Sequence, residues 1–301
     1  MNAAIHAPLH YLTASDGLRL GYRAHRCGLP EAPALVTLHG VASNGTRFSE
    51  FCAHSRLRDT WDLYQPDLRG HGASMTRKAF SRWHWCQDQI SLLDREGHAQ
   101  AVFMGHSLGA QVAMELAVRH PDRVRALILI DPVFPEALRG VLGVVRRLNL
   151  LNCLLIPPVR LIGRIFAASR RFPYRDLHAL DAQARQRLEE GELQDIVRLY
   201  MSPRADLRFL PLANYLQDLR EVVRPLPHLA QIKQPVLVLQ SRGSGISDPL
   251  INSRQIQLFP HLERVHIDAN HWLLTEKPQE ATAAIDQWCQ GLVLTTTSIR
   301  E

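Results

Sequence analysis

Lysine is nearly absent from this chain of 301 residues: it occurs only at positions 78, 233 and 277, so arginine supplies almost all of the basic charge. Lysine and arginine together number 35 against 29 acidic residues, which gives a formal net charge of +6. A nucleic-acid-binding protein usually concentrates such an excess in a cluster or a recognisable binding motif, and the sequence contains no such motif. The sequence therefore predicts a protein without a nucleic-acid partner.

Regularly spaced cysteines are also missing. The five cysteines, at positions 27, 52, 86, 153 and 289, form no C-x-x-C pair and no Cys/His spacing typical of a metal site. An odd number of cysteines scattered over the chain is poorly suited to a disulfide framework. We therefore expect reduced thiols in a cytoplasmic protein that holds no metal.

Signals for membrane insertion and for common cofactors are absent as well. No run reaches the ~18 consecutive apolar residues that a membrane-spanning helix needs, and the first residues show no basic segment followed by an apolar one. There is no G-x-G-x-x-G after the first strand, no phosphate-binding loop of the Walker type and no H-E-x-x-H. These absences predict a soluble protein without a nucleotide, flavin or metal cofactor.

The sequence does contain an alternation of apolar strands and helices. Apolar residues make up 46% and charged residues 21%, as in an ordinary globular protein. Continuous apolar runs are typical of strands buried on both faces. The alternation predicts an α/β fold with a mostly parallel, eight-stranded sheet that helices cover on both faces. We expect two strands within 9–27, further strands at 34–38, 61–66, 101–104, 126–130, 235–239 and 263–267, and helices at about 83–96, 107–119 and 278–290.

The alternation stops between about 133 and 230. We therefore divide the chain into an α/β core, 1–132 together with 233–301, and a helical cap, 133–232. Such an insertion lies at the carboxyl end of the sheet, where open α/β folds bind ligands. Pro157-Pro158 is expected to split the apolar part of the cap into at least two helices.

The sharpest chemical signal is the G-x-S-x-G pattern of Gly105-His106-Ser107-Leu108-Gly109, directly between a predicted strand and a predicted helix. In that context the serine lies on a tight, strained turn, and the two glycines let neighbouring backbone approach. The helix start behind it adds free N–H groups and a positive dipole end. The pattern predicts that Ser107 is a nucleophile.

A serine hydroxyl needs a base within hydrogen-bonding reach. Of 15 histidines, His271 is the best candidate, because it follows the last predicted strand in a loop expected at the carboxyl edge of the sheet. His106 is adjacent to the nucleophile, but neighbouring side chains in a tight turn point apart. We therefore expect His106 to support the site without reacting.

The base in turn needs a carboxylate that holds its tautomer. Asp248 is favoured, because it follows strand 235–239 by a loop rich in glycine and serine that can deliver a side chain to the carboxyl edge. Asp131, at the end of strand 126–130, is the alternative, although Asp131-Pro132 also has a plain role in ending that strand. Asp268 is a third and weaker candidate.

The oxyanion of an acyl-transfer intermediate needs two N–H donors. Leu108 provides one by its position directly after the nucleophile. The loop after strand 34–38, His39-Gly40-Val41, is expected to bring the N–H group of Val41 to the same place. We expect the side chain of His39 to brace this loop.

Together these segments resemble the α/β-hydrolase superfamily, and more narrowly its branch of esterases, C–C hydrolases and cofactor-free haloperoxidase-like enzymes. The resemblance implies an oxyanion N–H from Val41 and a structural role for the 67–72 loop. A serine at the elbow sets the chain apart from the epoxide-hydrolase and dehalogenase branches, which use an aspartate nucleophile. The segments that carry the resemblance are His39-Gly40, Asp67-Leu68-Arg69-Gly70-His71-Gly72, the elbow at 105–109, Asp248 and Asn270-His271-Trp272.

One departure from the family pattern keeps the second carboxylate open. The loop that carries Asp248 is longer and richer in glycine and serine than the usual form, so Asp131 remains the alternative acid.

The resemblance also implies that the insertion is a cap that roofs the pocket and sets its specificity. Residues 138–171 hold seven arginines among many leucines, valines and isoleucines, and no acidic residue. This composition suits an apolar lid whose arginines extend into water, and also weak contact with an anionic lipid surface.

The sequence thus predicts a serine hydrolase that cleaves small-molecule carboxylic esters, of medium acyl or aromatic type, through an acyl-enzyme on Ser107. Three alternatives remain. The same residues could hydrolyse a lactone or a C–C bond, or they could transfer the acyl group to an acceptor other than water. A non-catalytic, ligand-binding protein of the same fold is the third.

Overall fold

The computed structural model describes residues 5–166, 169–190, 199–200, 202–242 and 246–297. At its centre is a sheet of eight strands, which confirms the predicted fold class. The strands are β1 Leu9–Thr13, β2 Arg19–His25, β3 Ala34–Leu38, β4 Asp62–Pro66, β5 Ala101–His106, β6 Val124–Ile130, β7 Val236–Gln240 and β8 Leu262–His266.

The sheet is mostly parallel. Its strand order is β1-β2-β4-β3-β5-β6-β7-β8, and β2 pairs antiparallel with both β1 and β4, whereas the remaining neighbours are parallel. The carboxyl ends of β3, β5, β6, β7 and β8 therefore meet at one edge. Any side chain that follows one of these strands is delivered to that edge.

Helices cover both faces of the sheet because alternate residues of each strand point to opposite sides. The helices of this core are α1 Ser49–His54, α2 Arg82–Glu96, α3 Leu108–Arg119, α9 Pro249–Ile256, α10 Leu273–Glu276 and α11 Pro278–Thr297. On one face Val36, Phe103 and Leu127 pack in the core with α2 and α3. On the other face Val102 and Ile128 pack with α1 and α11.

Between β6 and β7 the main regular elements of the described chain are five α-helices. Gln111 on α3 ties this segment to the core, because its side-chain amide donates to the backbone carbonyls of Val133, at 2.8 Å, and Val222, at 3.0 Å. The helices are α4 Gly140–Arg147, α5 Asn149–Phe166, α6 Leu177–Glu189, α7 Pro203–Asp206 and α8 Leu212–Val223.

The predicted break at Pro157-Pro158 is wrong, since α5 runs through both prolines and the chain breaks at Leu148 instead. Each proline removes an N–H donor from the helix and its ring crowds the carbonyl four residues earlier, so other contacts must offset this cost. Beyond the prolines, Arg160 donates hydrogen bonds to the carbonyls of Lys78, at 2.7 Å, and Ala213, at 3.3 Å. These tertiary contacts hold the second half of α5 in line with the first.

Candidate active site

Ser107 lies at the sharp turn between β5 and α3, with φ of 55° and ψ of −113°. A positive φ is strained for a residue with a Cβ, so the surrounding packing must impose it. A Cβ on Gly109 would lie 1.9 Å from the carbonyl oxygen of Leu38, and one on Gly105 would lie 2.3 Å from that of Gly109. The two glycines are therefore required by the close approach of backbone around the serine.

The side chain of Ser107 borders a cavity of about 270 Å³ between the carboxyl edge of the sheet and helices α4 and α8. Its walls combine residues of the core with residues of the inserted helices. From the core come Gly40, Val41, Ser43, His106, His271 and Trp272, and from the insertion come Val141, Leu142, Tyr215, Leu219 and Val222.

His271 lies in the loop between β8 and α10 and lines the same cavity. Its Nδ1 is 2.6 Å from Oδ2 of Asp131, and both residues are buried. Donation from Nδ1 to the carboxylate leaves Nε2 as the basic nitrogen of the ring. The other carboxylate oxygen of Asp131 accepts from the N–H group and the hydroxyl of Ser241, at 3.0 and 2.8 Å. The imidazole is thus oriented by a carboxylate that is itself held in place.

Asp248, which the sequence favoured as the partner of His271, is not beside it. Asp248 is the N-cap of α9, and its Oδ1 accepts from the N–H groups of Leu250, at 2.9 Å, and Ile251, at 3.2 Å. Its other oxygen pairs with Arg139. These backbone hydrogen bonds, with the nearby arginine, hold the pKa of Asp248 below its usual value.

Asp131, the alternative, therefore occupies the position expected for Asp248. The reason is local: Pro249 at the first position of α9 favours a helix start there, and an aspartate before it serves as the cap. The third candidate, Asp268, pairs with Arg242 at 2.9 Å on the surface.

Ser241 is a residue of the site that sequence reasoning missed. It is the first residue after β7, in the loop that carries Asp248, and its position at the carboxyl edge was the available signal.

His106 supports the histidine loop. Its Nε2–H donates to the backbone carbonyl of His271 at 2.9 Å, and the two rings lie 4.6 Å apart. Burial, together with the neighbouring His271, holds the pKa of His106 well below its usual value, so the ring is neutral. The bond fixes the backbone of His271 next to the elbow.

The loop after β3 runs beside the nucleophile. A Cβ on Gly40 would lie 3.5 Å from the Cβ of Ser107, at ordinary van der Waals contact, so the backbone of this loop passes directly beside the nucleophile. The next residue, Val41, lines the cavity. Leu108 begins α3, where the first N–H groups have no acceptor within the helix. Both predicted oxyanion donors thus lie on segments that flank Ser107.

His39 connects this loop to the one after β4. Its Nδ1–H donates to the carbonyl of Gly40 at 2.9 Å, and its Nε2 accepts from the N–H group of Leu68, also at 2.9 Å. Burial, reinforced by the nearby His71, holds the pKa of His39 well below its usual value. A neutral, fully buried ring with these two hydrogen bonds connects the two loops.

A buried ion pair links the inserted helices to the loops after β3 and β4. His71 belongs to the 67–72 loop, for which the resemblance implied a structural role, but no motif pointed to its partner Asp218. Nε2 of His71 is 2.7 Å from Oδ2 of Asp218 on α8, and this oxygen also accepts from the N–H group of Ala42 at 3.3 Å. Ala42 has a strained φ of 50° and directly follows Val41. Burial opposes the charge on His71, but Asp218 outweighs it and raises the pKa of His71. Asp218 therefore holds the backbone next to the expected oxyanion donor.

We expect Asp218→Asn to lower kcat about tenfold. Loss of a whole oxyanion donor lowers kcat by about 10²–10³-fold, whereas here the donor remains and is only held less firmly in place. KM should stay within about twofold, since Asp218 does not line the cavity. The ion pair stabilises the fold fully below the pKa of an unfolded histidine, about 6.5, and this contribution is lost as the pH rises through the raised pKa of His71. The melting temperature of Asp218→Asn should therefore lie further below that of the parent near pH 6 than near pH 9.

Glu221→Gln is the matched control. Glu221 lies on the same helix, is equally buried and pairs with Arg82 and Arg224, but it does not contact the 39–42 loop. The Glu221→Gln variant should lower the melting temperature without the selective loss in kcat. An equal loss of kcat in both variants would reduce Asp218 to a general stabiliser of the fold.

The cations at the cavity are paired with acidic groups. Arg47 contacts Asp181 and stacks over the ring of Tyr200 at 4.6 Å, and Arg175 donates to Asp206 at 3.0 Å. Burial raises the pKa of Asp206 to about 6 against the opposing charge of Arg175. Within the described ranges no cluster of His, Cys, Asp and Glu could hold a metal ion.

The chain is similar in sequence and in fold to known proteins. Residues 35–285 match the model of the alpha/beta hydrolase family. Lipase LipV of Mycobacterium tuberculosis is 28% identical over 272 residues, which cover 85% of this chain and 93% of that protein. The sn-1-specific diacylglycerol lipase ABHD11 of Mus musculus is 26% identical, over 84% of this chain and 80% of that protein.

Among solved structures, the enol-lactonase of Burkholderia xenovorans is similar with a TM-score of 0.68 at 20% identity, over 93% of this chain and 100% of that one. At 20% identity, this similarity shows a shared fold alone. The family match, by contrast, covers most of the sequence, from strand β3 to helix α11. The chain therefore belongs to the alpha/beta hydrolase family, as its resemblance in sequence indicated.

Proposed function

We propose that this hydrolase cleaves uncharged carboxylic esters through an acyl-enzyme on Ser107, with His271 as the base and Asp131 as the orienting acid. One observation carries the proposal. Ser107 lies on a strained turn beside a cavity that it shares with His271, and Nδ1 of that histidine is 2.6 Å from the carboxylate of Asp131.

In the acylation step, Nε2 of His271 takes the proton of Ser107 as the serine oxygen attacks the ester carbonyl. Asp131 keeps the imidazole in the required tautomer and stabilises the imidazolium. The N–H groups of Val41 and Leu108 donate to the oxyanion, and each such donor contributes about 2.7–4 kcal/mol. His271 then gives its proton to the leaving alkoxide, and the alcohol departs.

In the deacylation step, a water molecule takes the place of the alcohol. His271 removes a proton from it as it attacks the acyl carbonyl, and the same two N–H groups receive the second oxyanion. Collapse of this intermediate returns the proton to Ser107 and releases the carboxylic acid. No step needs a metal or an organic cofactor.

The cavity favours a compact, uncharged substrate. Its volume of about 270 Å³ is near the lower end of small-molecule pockets, about 300–1,000 Å³. Apolar walls such as Leu142, Leu219 and Val222 suit a medium acyl chain or an aromatic ring. Because Arg47 and Arg175 are each neutralised by an aspartate, neither is free to hold an anionic group.

A chain-length series of p-nitrophenyl esters tests the proposal. We expect kcat/KM to rise about fourfold for each added methylene, at ~0.8 kcal/mol each, until the cavity is full, and then to fall. An organophosphonate should label one site, which peptide mass spectrometry should assign to Ser107.

Three outcomes would instead support the alternatives. Faster turnover of lactones or of C–C substrates than of any ester would change the reaction class. Ester or peracid products formed with added alcohol or peroxide would indicate acyl transfer. Tight ligand binding with neither turnover nor label would indicate a non-catalytic member of the family.

A further inference from the structure

Two of the three buried side chains of helix α5 are polar, whereas its exposed side is mostly apolar, the reverse of an ordinary surface helix. Asn152, Ile156 and Arg160, spaced four residues apart, form its buried face. Its outward side chains include Leu150 at 77% exposure and Phe166 at 81%. Exposed apolar surface of this kind is unfavourable in water, so we expect the outer face of α5 to contact a partner.

The buried polar groups of α5 are anchors. The guanidinium of Arg160 donates to the backbone carbonyl of Lys78 at 2.7 Å and to the side-chain oxygen of Asn214 at 3.1 Å. The amide of Asn152 donates to the carbonyl of Leu216 at 3.2 Å. Because these bonds hold the helix along α8, its apolar face cannot turn inward without leaving buried polar groups unpaired.

α5 is also the one helix, among the residues that the structure describes, with the length and composition to cross a membrane, although only 17% of it is buried in the protein. Its buried anchors lie along the middle of its inner side, from Asn152 to Arg160, and Arg164 nearer its end donates to the backbone carbonyl of Arg77 at 3.1 Å, so the helix lies flat on the protein. A helix held in this way suits contact with a membrane in the plane of its surface.

Helix α4 continues the same surface. We define the docking face as the exposed apolar side chains of α4, the α4–α5 junction and α5, which are Val141, Val144, Leu148, Leu150, Leu151, Leu154, Leu155, Leu161, Ile162, Ile165 and Phe166. Exposed arginines lie among and beside them, at 146, 147, 164, 170 and 171, and residues 138–171 contain no aspartate or glutamate. Arg139, at the margin, pairs with Asp248 and is not counted among them. An apolar surface with an excess of basic charge complements an anionic lipid surface.

The docking face also borders the cavity. Val141, which is 73% exposed, and its neighbour Leu142 both line the space beside Ser107. A molecule that leaves a lipid layer under α4 would therefore meet the cavity without crossing water.

We propose that the docking face binds the surface of a phospholipid bilayer that carries anionic headgroups. Apolar side chains of α4 and α5 enter the boundary between headgroups and acyl chains, and the flanking arginines contact the phosphates. Binding itself is independent of the proposed reaction. Its consequence, that apolar esters dissolved in the bilayer reach Ser107, rests on the proposed function.

Vesicle co-sedimentation of the full chain carrying Ser107→Ala, which prevents turnover, tests the binding. Vesicles of phosphatidylcholine with an equal part of phosphatidylglycerol should bind at least about tenfold more tightly than vesicles of phosphatidylcholine alone, and added salt should weaken this preference. Equal binding to both vesicles at all salt concentrations would overturn the proposal.

A matched pair of double variants locates the surface. Leu154→Glu with Leu161→Glu should weaken binding by about tenfold or more, because two apolar side chains leave the lipid and two negative charges approach it. Leu29→Glu with Leu258→Glu makes the same change at the opposite edge of the sheet, where both leucines are exposed, and should leave binding within about twofold. Both pairs, made with Ser107 present, should hydrolyse a short soluble ester like the parent, which tests the reaction separately from binding.

A second copy of the chain is the competing occupant. Sedimentation velocity without lipid should give a monomer. A dimer that Leu154→Glu with Leu161→Glu dissociates, in a protein that binds neither vesicle, would overturn the lipid proposal in favour of self-association. Absence of both vesicle binding and dimerisation would also overturn it.

Discussion

Replacement of Ser107 by alanine is expected to lower kcat for ester hydrolysis by about 10⁶-fold, the scale of loss when the serine of a triad is removed. The reason is chemical, since water must then attack the ester without an acyl-enzyme. A residual rate about 10³–10⁴-fold above that in water should persist, because the oxyanion donors and the binding cavity remain. Stopped-flow and steady-state assays with the preferred p-nitrophenyl ester measure both effects.

Ser43→Ala is the control for this experiment. Ser43 also carries a hydroxyl at the cavity, but it does not lie on the strained turn at 107. Its loss should change kcat by no more than about threefold, because surface or cavity hydroxyls outside the reacting set contribute little. Activity of the Ser107 variant within about tenfold of the parent would mean that another group is the nucleophile.

Asp131→Asn is expected to lower kcat by about 10⁴-fold with little change in the fold. The amide has the shape of the carboxylate, but its NH₂ group can face Nδ1 of His271 and so select the wrong tautomer. The loss of negative charge also leaves the imidazolium of the transition state unstabilised at a contact of 2.6 Å. Ser241→Ala should have a smaller effect, about tenfold, because one of two hydrogen bonds that hold Asp131 is lost.

Asp248→Asn is the decisive comparison. Asparagine caps a helix as well as aspartate does, and the pair with Arg139 is exposed, so kcat should stay within about twofold of the parent. The opposite result, a large loss in Asp248→Asn and a small one in Asp131→Asn, would restore the carboxylate that the sequence favoured. Circular dichroism of both variants separates loss of chemistry from loss of fold.

The strands of the core were predictable because their signal is local. The run Ala34–Leu38 is β3 with the predicted bounds, since uninterrupted apolar residues in a parallel sheet are buried on both faces. β5 extends beyond the predicted end at Met104 to His106, because pairing with β6 continues there: Gly105 lies opposite Leu129 and His106 opposite Ile130. Such pairing depends on a neighbouring strand and leaves little trace in the sequence of β5.

The inserted helices were less predictable. Prolines at 157 and 158 indicated a break that the contacts of Arg160 prevent. The rule that the apolar side chains of a helix face the protein interior also fails along α5, where Arg160 is buried and Phe166 is exposed. Only the position of α8 and of the loop near Lys78 explains which side of α5 faces inward.

The position of the elbow could be predicted from the sequence alone. Gly105, Ser107 and Gly109 lie within five residues, between a strand and a helix, so the pattern is local, although packing against Leu38 of β3 helps to impose the strained turn. Only the tertiary structure shows which carboxylate lies beside His271. Asp131 and His271 are 140 residues apart, and Asp131 and Ser241 are 110 residues apart. At such separations, contact depends on where strand ends meet at the sheet edge, and two acidic residues that follow neighbouring strands look equivalent until the loops between them are folded.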